Sequence, residues 1–168
     1  MNVFIRHAKP SEAMTTQIIK HKSWHSAYSE IFTKSEIDNH FESKRIDGTF
    51  IKRVKKVIMN KDIFVADENG VPVAMMKLGK IKPNAEHLEI EAIYALPSHQ
   101  RLGIGKLLFE HTKSIALKNN IHKIKLFALK LNKIGCSFYQ KNGGKIVDEI
   151  KKTLCGKEVE LVEFEFKF

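Results

Sequence analysis

The 168-residue sequence predicts an α+β fold in a single domain spanning residues 1–168. Helical spacing of apolar residues prevails over residues 11–60, whereas alternating or paired apolar runs prevail over much of the remainder. No linker-like or low-complexity segment divides the chain. The composition, 43% hydrophobic and 29% charged residues, is typical of a globular protein with a sizeable core.

The N-terminal third combines one strand with helices. The segment NVFIRHA has the two-residue alternation of a first strand. The segment KPSEAMTTQIIKH, with a proline, a serine and an early glutamate, predicts the start of a helix. Trp24, Tyr28, Ile31 and Phe32 follow at spacings of four, three and one residues, which favours a buried helix face over a ligand-binding group.

Strand signals begin near residue 62. The segment DIFVADENGVPVAMMKLGKI contains two apolar runs joined by DENG, a hairpin signature in which Gly70 can take a positive φ. The segment EHLEIEAIYAL alternates strictly and predicts a strand with two distinct faces. One face comprises Leu88, Ile90, Ala92 and Tyr94, and the other comprises Glu89, Glu91, Ile93 and Ala95.

The C-terminal part begins with a glycine-containing stretch, LPSHQRLGIGKLLFEHT, that leads into a helical pattern. The apolar stripe of that helix is formed by Ile104, Leu107, Leu108 and Ile115. Next come a strand, HKIKLFAL, and a short helix, NKIGCSFYQKN, ended by two glycines. The final segment, KEVELVEFEFKF, predicts a last strand that either completes the chain's own sheet or pairs across a dimer.

The net charge of +10 is unevenly distributed. Residues 1–100 carry 15 basic and 12 acidic side chains, whereas residues 101–168 carry 14 and 7. The excess favours an anionic ligand such as nucleic acid, a phosphate or a phosphorylated cofactor, although a solvated lysine-rich surface has the same composition. Charged residues near the N-terminus and the lack of a long apolar run predict a cytoplasmic protein with no membrane partner.

No metal site is expected from the sequence. The two cysteines, Cys136 and Cys155, do not form a CxxC pair. His99, His111 and His122 lie near the glycine stretch but lack the spacing of metal ligands. Surface or core histidines and reduced thiols are the favoured interpretation.

The glycine stretch fits one of three phosphate-binding patterns. A Walker A loop fails, because Gln100 and Leu107 stand where a glycine and a Ser or Thr are needed. A dinucleotide fingerprint fails because Leu108 replaces its third glycine. The pattern Q/R-x-x-G-x-G/A is satisfied by Gln100, Gly103 and Gly105. The first amides of a helix have no intrahelical acceptors, so a loop of this kind can hold a pyrophosphate.

This pattern, the strand EIEAIYALP before it and the segment LNKIGCSFYQKNGGK after it resemble the GCN5-related N-acetyltransferase (GNAT) family. The resemblance implies a mixed, mostly antiparallel central sheet flanked by helices. It also implies direct transfer of an acetyl group from acetyl-CoA to an amine, with the coenzyme A pyrophosphate on the loop amides. The implied cofactor-binding residues are Ile93, Tyr94, Ala95, Gln100, Arg101, Leu102, Gly103, Ile104, Gly105, Lys106, Asn132 and Tyr139.

Two residues are candidates for proton transfer. By the family's spacing, Glu89 lies fourteen residues before Gly103, where some members carry a glutamate base that acts directly or through a water. The family's F-Y pair places Tyr139 near the cofactor sulfur, where a phenol can protonate the departing thiolate. Pairing of the glutamate with lysines, and a buried tyrosine with a satisfied hydroxyl, are the structural alternatives.

The acceptor site is expected to include Glu91, Trp24 and Tyr28, with Glu91 contributing to an anionic wall. The segment LEIEAIYAL is most similar to bacterial polyamine acetyltransferases, which implies a small primary amine such as a polyamine as acceptor. A protein N-terminus or lysine is the alternative acceptor. Gly144 replaces the family's usual phenylalanine, so that side of the pocket is either more open or packed differently.

Two other classes of function remain possible at this point. A basic nucleic-acid-binding protein would use the 12 basic and 3 acidic side chains of residues 101–152, but the interleaved aromatics of a single-strand binder are missing. A non-catalytic acyl-CoA sensor would keep the fold and the cofactor without turnover. The sequence is compatible with either a monomer or a homodimer.

Overall fold

A seven-stranded sheet organises the computed structural model, which describes residues 2–42 and 49–168. In chain order its strands are β1 (Val3–His7), β2 (Ile63–Glu68), β3 (Val71–Leu78), β4 (Leu88–Ala95), β5 (Lys123–Leu129), β6 (Lys145–Leu154) and β7 (Lys157–Lys167). The helices are α1 (Ala13–Ala27), α2 (Lys34–Glu42), α3 (Thr49–Met59), α4 (Ile104–Lys118) and α5 (Lys133–Lys141). Short 3₁₀ turns at Pro10–Glu12 and Pro97–His99 precede α1 and α4.

The strand order is β1-β2-β3-β4-β5-β7-β6, and every neighbouring pair except β4 and β5 is antiparallel. The parallel pair is joined only where Leu88 meets Ile124 and Glu89 meets Lys125. Beyond these two positions β4 and β5 do not pair with each other. The sheet therefore has a gap at its centre, between the carboxyl-terminal halves of the two strands.

The predicted α+β class and most of the predicted elements are confirmed. The first strand, the hairpin of β2 and β3, the short helix after β5 and the last strand all form. The hairpin turns through Asn69 and Gly70, both with positive φ (53° and 87°), which matches the right-handed twist of the strands. The helical region 11–60 contains α1, α2 and α3, and its residues 43–48 lie outside the described part of the chain.

One strand escaped the sequence analysis. The ten residues of β6 are exposed along nearly their whole length, so this edge strand buries neither face. Its sequence therefore lacks the apolar alternation that reveals a half-buried strand. Of the two alternatives for the last strand, completion of the chain's own sheet is the one observed, since β7 lies between β5 and β6.

The strict alternation predicted for β4 is wrong. The register between β3 and β4 shifts so that Lys77 faces Ala92 while Leu78 faces Ile90, which leaves Glu91 as an extra residue in a bulge. Because the bulge inserts one residue, side chains after it point to the faces opposite to those that strict alternation assigns. Ile93 and Ala95 therefore pack in the same cluster as Leu88 and Ile90, and Ala92 and Tyr94 pack on the opposite side.

The core has a cluster on each face of the sheet and a third near α2. The largest lies between the sheet and α4, and a second lies between the sheet, α1 and α3. The third joins α1 and α2 to Leu129 of β5 and Leu161 of β7. The buried stripe of α4 is rotated from the predicted one. Leu107 is 47% exposed, whereas Phe109, Thr112 and Ala116 are buried.

Candidate active site

The loop between β4 and α4 presents backbone amides at the start of the helix. Gly103 caps α4 with a left-handed backbone (φ 82°), and no side chain caps the helix. The Leu107 N–H donates to the Gly103 carbonyl at 3.1 Å, the bond expected four residues into a helix. The amides of the preceding first turn have no intrahelical acceptor, and with the helix dipole they favour an anion there.

The two loop glycines serve different purposes. A Cβ at Gly103 would meet nothing within 4 Å, so this position needs glycine for its positive φ. A Cβ at Gly105 would lie 3.3 Å from the Phe138 ring, so the second glycine lets α5 pack against the start of α4. The spacing of the glycines in the sequence did not reveal this packing role of Gly105.

Gln100 anchors the beginning of the loop. Its Nε2 donates to the Ala95 carbonyl at 3.4 Å, and its Oε1 accepts from the Ser26 hydroxyl at 3.4 Å. The side chain therefore ties the end of β4 to α1. In this arrangement Gln100 positions the backbone of the loop, while Arg101 and Lys106 carry its positive charge.

The end of β4 offers further backbone groups to the central gap. The Leu96 N–H donates to the Val73 carbonyl of β3 at 2.9 Å. Because successive peptide groups of a strand point to opposite sides, those of Ile93 and Ala95 point away from β3 and toward β5. Since β5 is not paired there, the peptide groups of Ile93 and the Ala95 N–H are available to an extended ligand that lies in the gap, whereas the Ala95 carbonyl accepts from Gln100.

The short helix α5 forms the wall of the gap beside β5. Asn132 caps α5, and its Oδ1 accepts from the Gly135 N–H at 3.0 Å, which leaves the Nδ2 hydrogens for another partner. A Cβ at Gly135 would lie 2.5 Å from that Nδ2, so the glycine is needed for this arrangement. Tyr139, on the same helix, packs against the rings of Phe138 and Phe164.

The three tyrosines of the chain influence one another across the gap. Burial raises the pKa of Tyr139, and the nearby Tyr94 and Cys136 raise it further. Burial also raises the pKa of Tyr28, with contributions from Tyr94 and Tyr139. Tyr94 packs on the α1 side of the sheet and Tyr139 on the α4 side, so they approach through the unpaired region. The Tyr139 phenol stays protonated at neutral pH and can donate a proton.

Trp24 belongs to the core rather than to an open surface. It is 5% exposed and packs against Tyr28, Phe32 and Phe41 at centroid distances of 5.1, 6.5 and 5.3 Å. Its buried indole N–H makes no aligned hydrogen bond with any described residue, although it lies near the Tyr94 hydroxyl. Tyr28, only partly buried, is the better placed of the two predicted aromatic contacts for an acceptor.

Glu89 and Glu91 line one cavity of about 800 Å³ between α3 and the sheet. Glu91 forms an ion pair with Lys77, which neutralises much of its charge. Among the described residues, none forms an ion pair or hydrogen bond with the Glu89 carboxylate. The other charged residues lining the cavity are Asp62, Glu86, Arg53, Lys56, Lys80 and Lys82. The predicted anionic wall is therefore a mixed surface in which Glu89 is the unpaired carboxylate beside β4.

The basic excess of residues 101–168 is partly neutralised on the outer strands. Lysines of β5 and β6, and one just after β5, form ion pairs with carboxylates of β6 and β7. The pairs are Lys123–Glu165, Lys125–Glu163, Lys130–Glu149 and Lys151–Glu158, with distances of 3.5, 2.9, 2.7 and 3.0 Å. This surface therefore alternates in sign, unlike the continuous basic patch that a nucleic acid needs.

At Gly144 a neighbouring ring takes the space that a larger side chain at this position would occupy. A Cβ there would lie 2.8 Å from the Phe166 ring and 2.9 Å from the Tyr139 carbonyl. Phe166 of β7 therefore fills the space next to Gly144. Of the two alternatives raised by the sequence, different packing is the one observed.

A cluster of possible metal ligands lies where the sequence analysis expected none. His21 and His25 of α1 converge with Asp38 of α2, their ligand atoms all within 4.8 Å of one another. The i,i+4 spacing of the two histidines was visible in the sequence. Their alignment with Asp38 depends on how α2 packs on α1, which the sequence did not reveal.

None of the described helices is both long and apolar enough to cross a bilayer.

Comparisons with known proteins agree with this geometry. The family model described as "Acetyltransferase (GNAT) family" matches residues 21–144. A spermidine N(1)-acetyltransferase from Thermoplasma acidophilum is 26% identical over 150 residues, covering 88% of this chain and 91% of that protein.

Solved structures share the fold. The PaiA N-acetyltransferase from Thermoplasma acidophilum, in complex with coenzyme A, gives a TM-score of 0.79 at 24% identity, with 100% of both chains covered. The YncA structure from Salmonella typhimurium, with its cofactor acetyl-CoA, gives a TM-score of 0.68 at 16% identity, covering 99% of this chain and 94% of that chain.

Proposed function

The chain belongs to the acetyltransferase (GNAT) family, and we propose that it transfers the acetyl group of acetyl-CoA to a primary amine of a small molecule such as a polyamine. The observation that carries the proposal is the combination at the central gap. Bare amides at the start of α4, an unpaired edge of β4 and a protonated Tyr139 lie around one opening in the sheet.

The described residues fit acetyl-CoA as the acetyl donor. The first-turn amides of α4, with Arg101 and Lys106 beside them, provide a cradle for a pyrophosphate. The peptide groups of Ile93 and the N–H of Ala95 match the amides of a pantetheine arm, in the manner of an added strand. Asn132 has Nδ2 hydrogens to spare on the opposite wall. Bound there, acetyl-CoA supplies an activated thioester, and related structures hold coenzyme A or acetyl-CoA.

The chain's own groups would stabilise the developing charge and transfer the protons. Backbone amides near Ile93 and Ala95 can stabilise negative charge that develops on the thioester oxygen. A tyrosine phenol carries its proton at neutral pH, and burial, which raises the pKa of Tyr139, extends this to more alkaline pH, so Tyr139 can protonate the departing thiolate. Glu89, without a charged partner among the described residues, can accept the proton of the incoming amine directly or through a water.

Support for a polyamine acceptor comes from the cavity beside α3 and from one relative. The cavity contains the carboxylates of Asp62, Glu86, Glu89 and Glu91, which can bind ammonium groups spaced along a flexible chain. The 26% identical relative is named as a spermidine N(1)-acetyltransferase. The net charge of +10 opposes a polycation at long range, but salt screening over about 8–10 Å leaves the carboxylates of the cavity able to attract it locally.

A panel of acceptors tests the proposal. Polyamines, monoamines, and peptides with a free N-terminus or a lysine are incubated with acetyl-CoA, and release of free thiol is measured. The proposal predicts turnover with polyamines and slower turnover with monoamines. Preferential turnover of peptides would replace the small acceptor by a protein, and saturable acetyl-CoA binding without turnover of any acceptor would indicate a sensor.

The role of Glu89 has a matched control in the same cavity. Glu89→Gln should lower kcat about 10- to 100-fold and change the pH–rate profile, because general-base catalysis commonly contributes at least this much. Glu86→Gln removes a charge from the same cavity and should raise the acceptor KM with little change in kcat. An unchanged rate and pH profile in Glu89→Gln would remove Glu89 from the mechanism.

A further inference from the structure

Two histidines of α1 and an aspartate of α2 meet at a single point. His21 and His25 are one helical turn apart, so their imidazoles project from the same side of α1. Both Nε2 atoms lie 2.7 Å from the same oxygen of Asp38, and they lie 3.1 Å from each other. The three side chains are all partly buried, with exposed fractions between 27% and 32%.

Hydrogen bonds account for at most two edges of this triangle. If both Nε2 atoms carry hydrogen, both can donate to the one Asp38 oxygen, and the 3.1 Å edge between the two nitrogens then holds no hydrogen bond. If one Nε2 is bare, its lone pair faces the carboxylate oxygen at 2.7 Å. One edge of the triangle therefore joins two like groups in either neutral tautomer. A cation at the centre would be attracted to all three lone pairs.

We propose that His21, His25 and Asp38 bind a divalent transition-metal ion of the zinc type, independently of the proposed acetyl transfer. Zinc holds imidazole and carboxylate ligands at about 2.0–2.2 Å, so tetrahedral ligand atoms are about 3.3 Å apart. The three atoms reach this arrangement if the edges open by about 0.2 Å between the nitrogens and about 0.6 Å toward the oxygen. Two histidines and one carboxylate leave a fourth position for water.

The ion would join α1 to α2. His21 also packs against Phe41 of α2 at a centroid distance of 4.8 Å, and Trp24 of α1 stacks on His40 of α2 at 5.2 Å. A bound metal would hold this contact in place. Within the described parts of the chain, no other group of three potential ligands converges in this way.

The test is metal binding by the tag-free, metal-free protein. Zinc is titrated by calorimetry, and cobalt(II) is added as a spectroscopic substitute that absorbs visible light when tetrahedrally bound. The wild type should bind one equivalent of either ion and should melt at a higher temperature with zinc. His25→Gln and Asp38→Asn should each weaken binding at least 10-fold and remove the zinc-dependent rise in melting temperature.

His99→Gln is the matched control. His99 also contacts a carboxylate, that of Glu68 at 3.1 Å, but is not part of the three-residue group. This variant should bind zinc as the wild type does. Two ligand variants are used so that a folding defect in one, detected by circular dichroism, leaves the other informative. Absence of binding by the wild type, or equal binding by wild type and both ligand variants, would show that the cluster is a hydrogen-bonded group only.

Discussion

The opening at the start of α4 and the cavity beside α3 differ in the kind of polar group that lines them. At α4 the polar groups are mostly backbone amides, positioned by the positive φ of Gly103 and by the unpaired edge of β4. Beside α3 they are charged side chains of both signs, and Lys77 already neutralises Glu91. A backbone site needs only a few residues at fixed spacing, whereas a side-chain site depends on how distant elements meet.

The largest effect should come from Tyr139, the proposed proton donor to the departing thiolate. Tyr139→Phe should lower kcat about 100-fold and leave the acetyl-CoA KM nearly unchanged, because it removes a proton donor while keeping the ring. Wild-type kcat should not decline as pH rises to about 10, the ordinary phenol value, because burial raises the pKa of Tyr139. Steady-state rates between pH 6 and 10 check both expectations, and full turnover by the variant would reject the acid role.

A smaller effect is expected from alanine at Gly103, and alanine at Gly70 separates its effect on coenzyme A binding from a general loss of stability. Gly103 and Gly70 both have positive φ, 82° and 87°, and a Cβ at either would meet nothing within 4 Å. Alanine at either position should therefore lower the unfolding free energy by a similar amount, about 1 kcal/mol. Only Gly103→Ala should also weaken coenzyme A binding, about 10-fold, because the strain lies beside the amide cradle. Calorimetry and thermal melts distinguish the two, and equal affinities would contradict the cradle.

Single charge changes in the cavity beside α3 should alter the KM for the acceptor only modestly. Lys77→Met releases Glu91 and should lower the KM for a triamine such as spermidine about 1.4- to 5-fold, the range set by the free energy of partly exposed ion pairs. Glu91→Gln should not lower this KM. The gain should shrink at high salt because screening weakens exposed charges. A KM that is insensitive to Lys77→Met would place the acceptor elsewhere.

The smallest effect is expected on the outer strands. Lys130 lies between Glu149 and Glu160 at 2.7 and 3.0 Å, and all three side chains are exposed. Lys130→Ala should leave coenzyme A affinity and the melting temperature unchanged, because exposed ion pairs contribute little. Measured loss of cofactor affinity in this variant would mean that the basic C-terminal surface, rather than the α4 cradle alone, attracts the anion.

A site made of backbone groups is easier to predict from sequence than a site made of side chains from distant elements. The spacing of Gln100, Gly103 and Gly105 predicts the proposed backbone site, since the chemistry of that site depends on local conformation. The bulge at Glu91 could not be predicted, because it arises from the register between β3 and β4. The pairing of Glu91 with Lys77 follows from that register. The convergence of Asp38 on two histidines likewise depends on packing between α1 and α2.

The almost fully exposed strand β6 could not be predicted from the sequence either. β6 carries exposed apolar side chains such as Ile146 and Val147 without regular alternation, so the periodicity that revealed β4 and β7 gave no signal there. Its place was fixed by pairing with β7 along nearly its whole length. Burial of a face, rather than strand propensity alone, made the other strands recognisable.

The central claim is that an anionic diphosphate binds the backbone amides at the start of α4. Titration of ¹⁵N-labelled protein with coenzyme A, followed by amide chemical shifts, tests it most directly. The largest saturable shifts should occur at Gly103, Gly105 and Lys106, with smaller shifts at Ile93 and Ala95. Unchanged signals at these amides, together with shifts in the cavity beside α3 or along β6, would contradict the account.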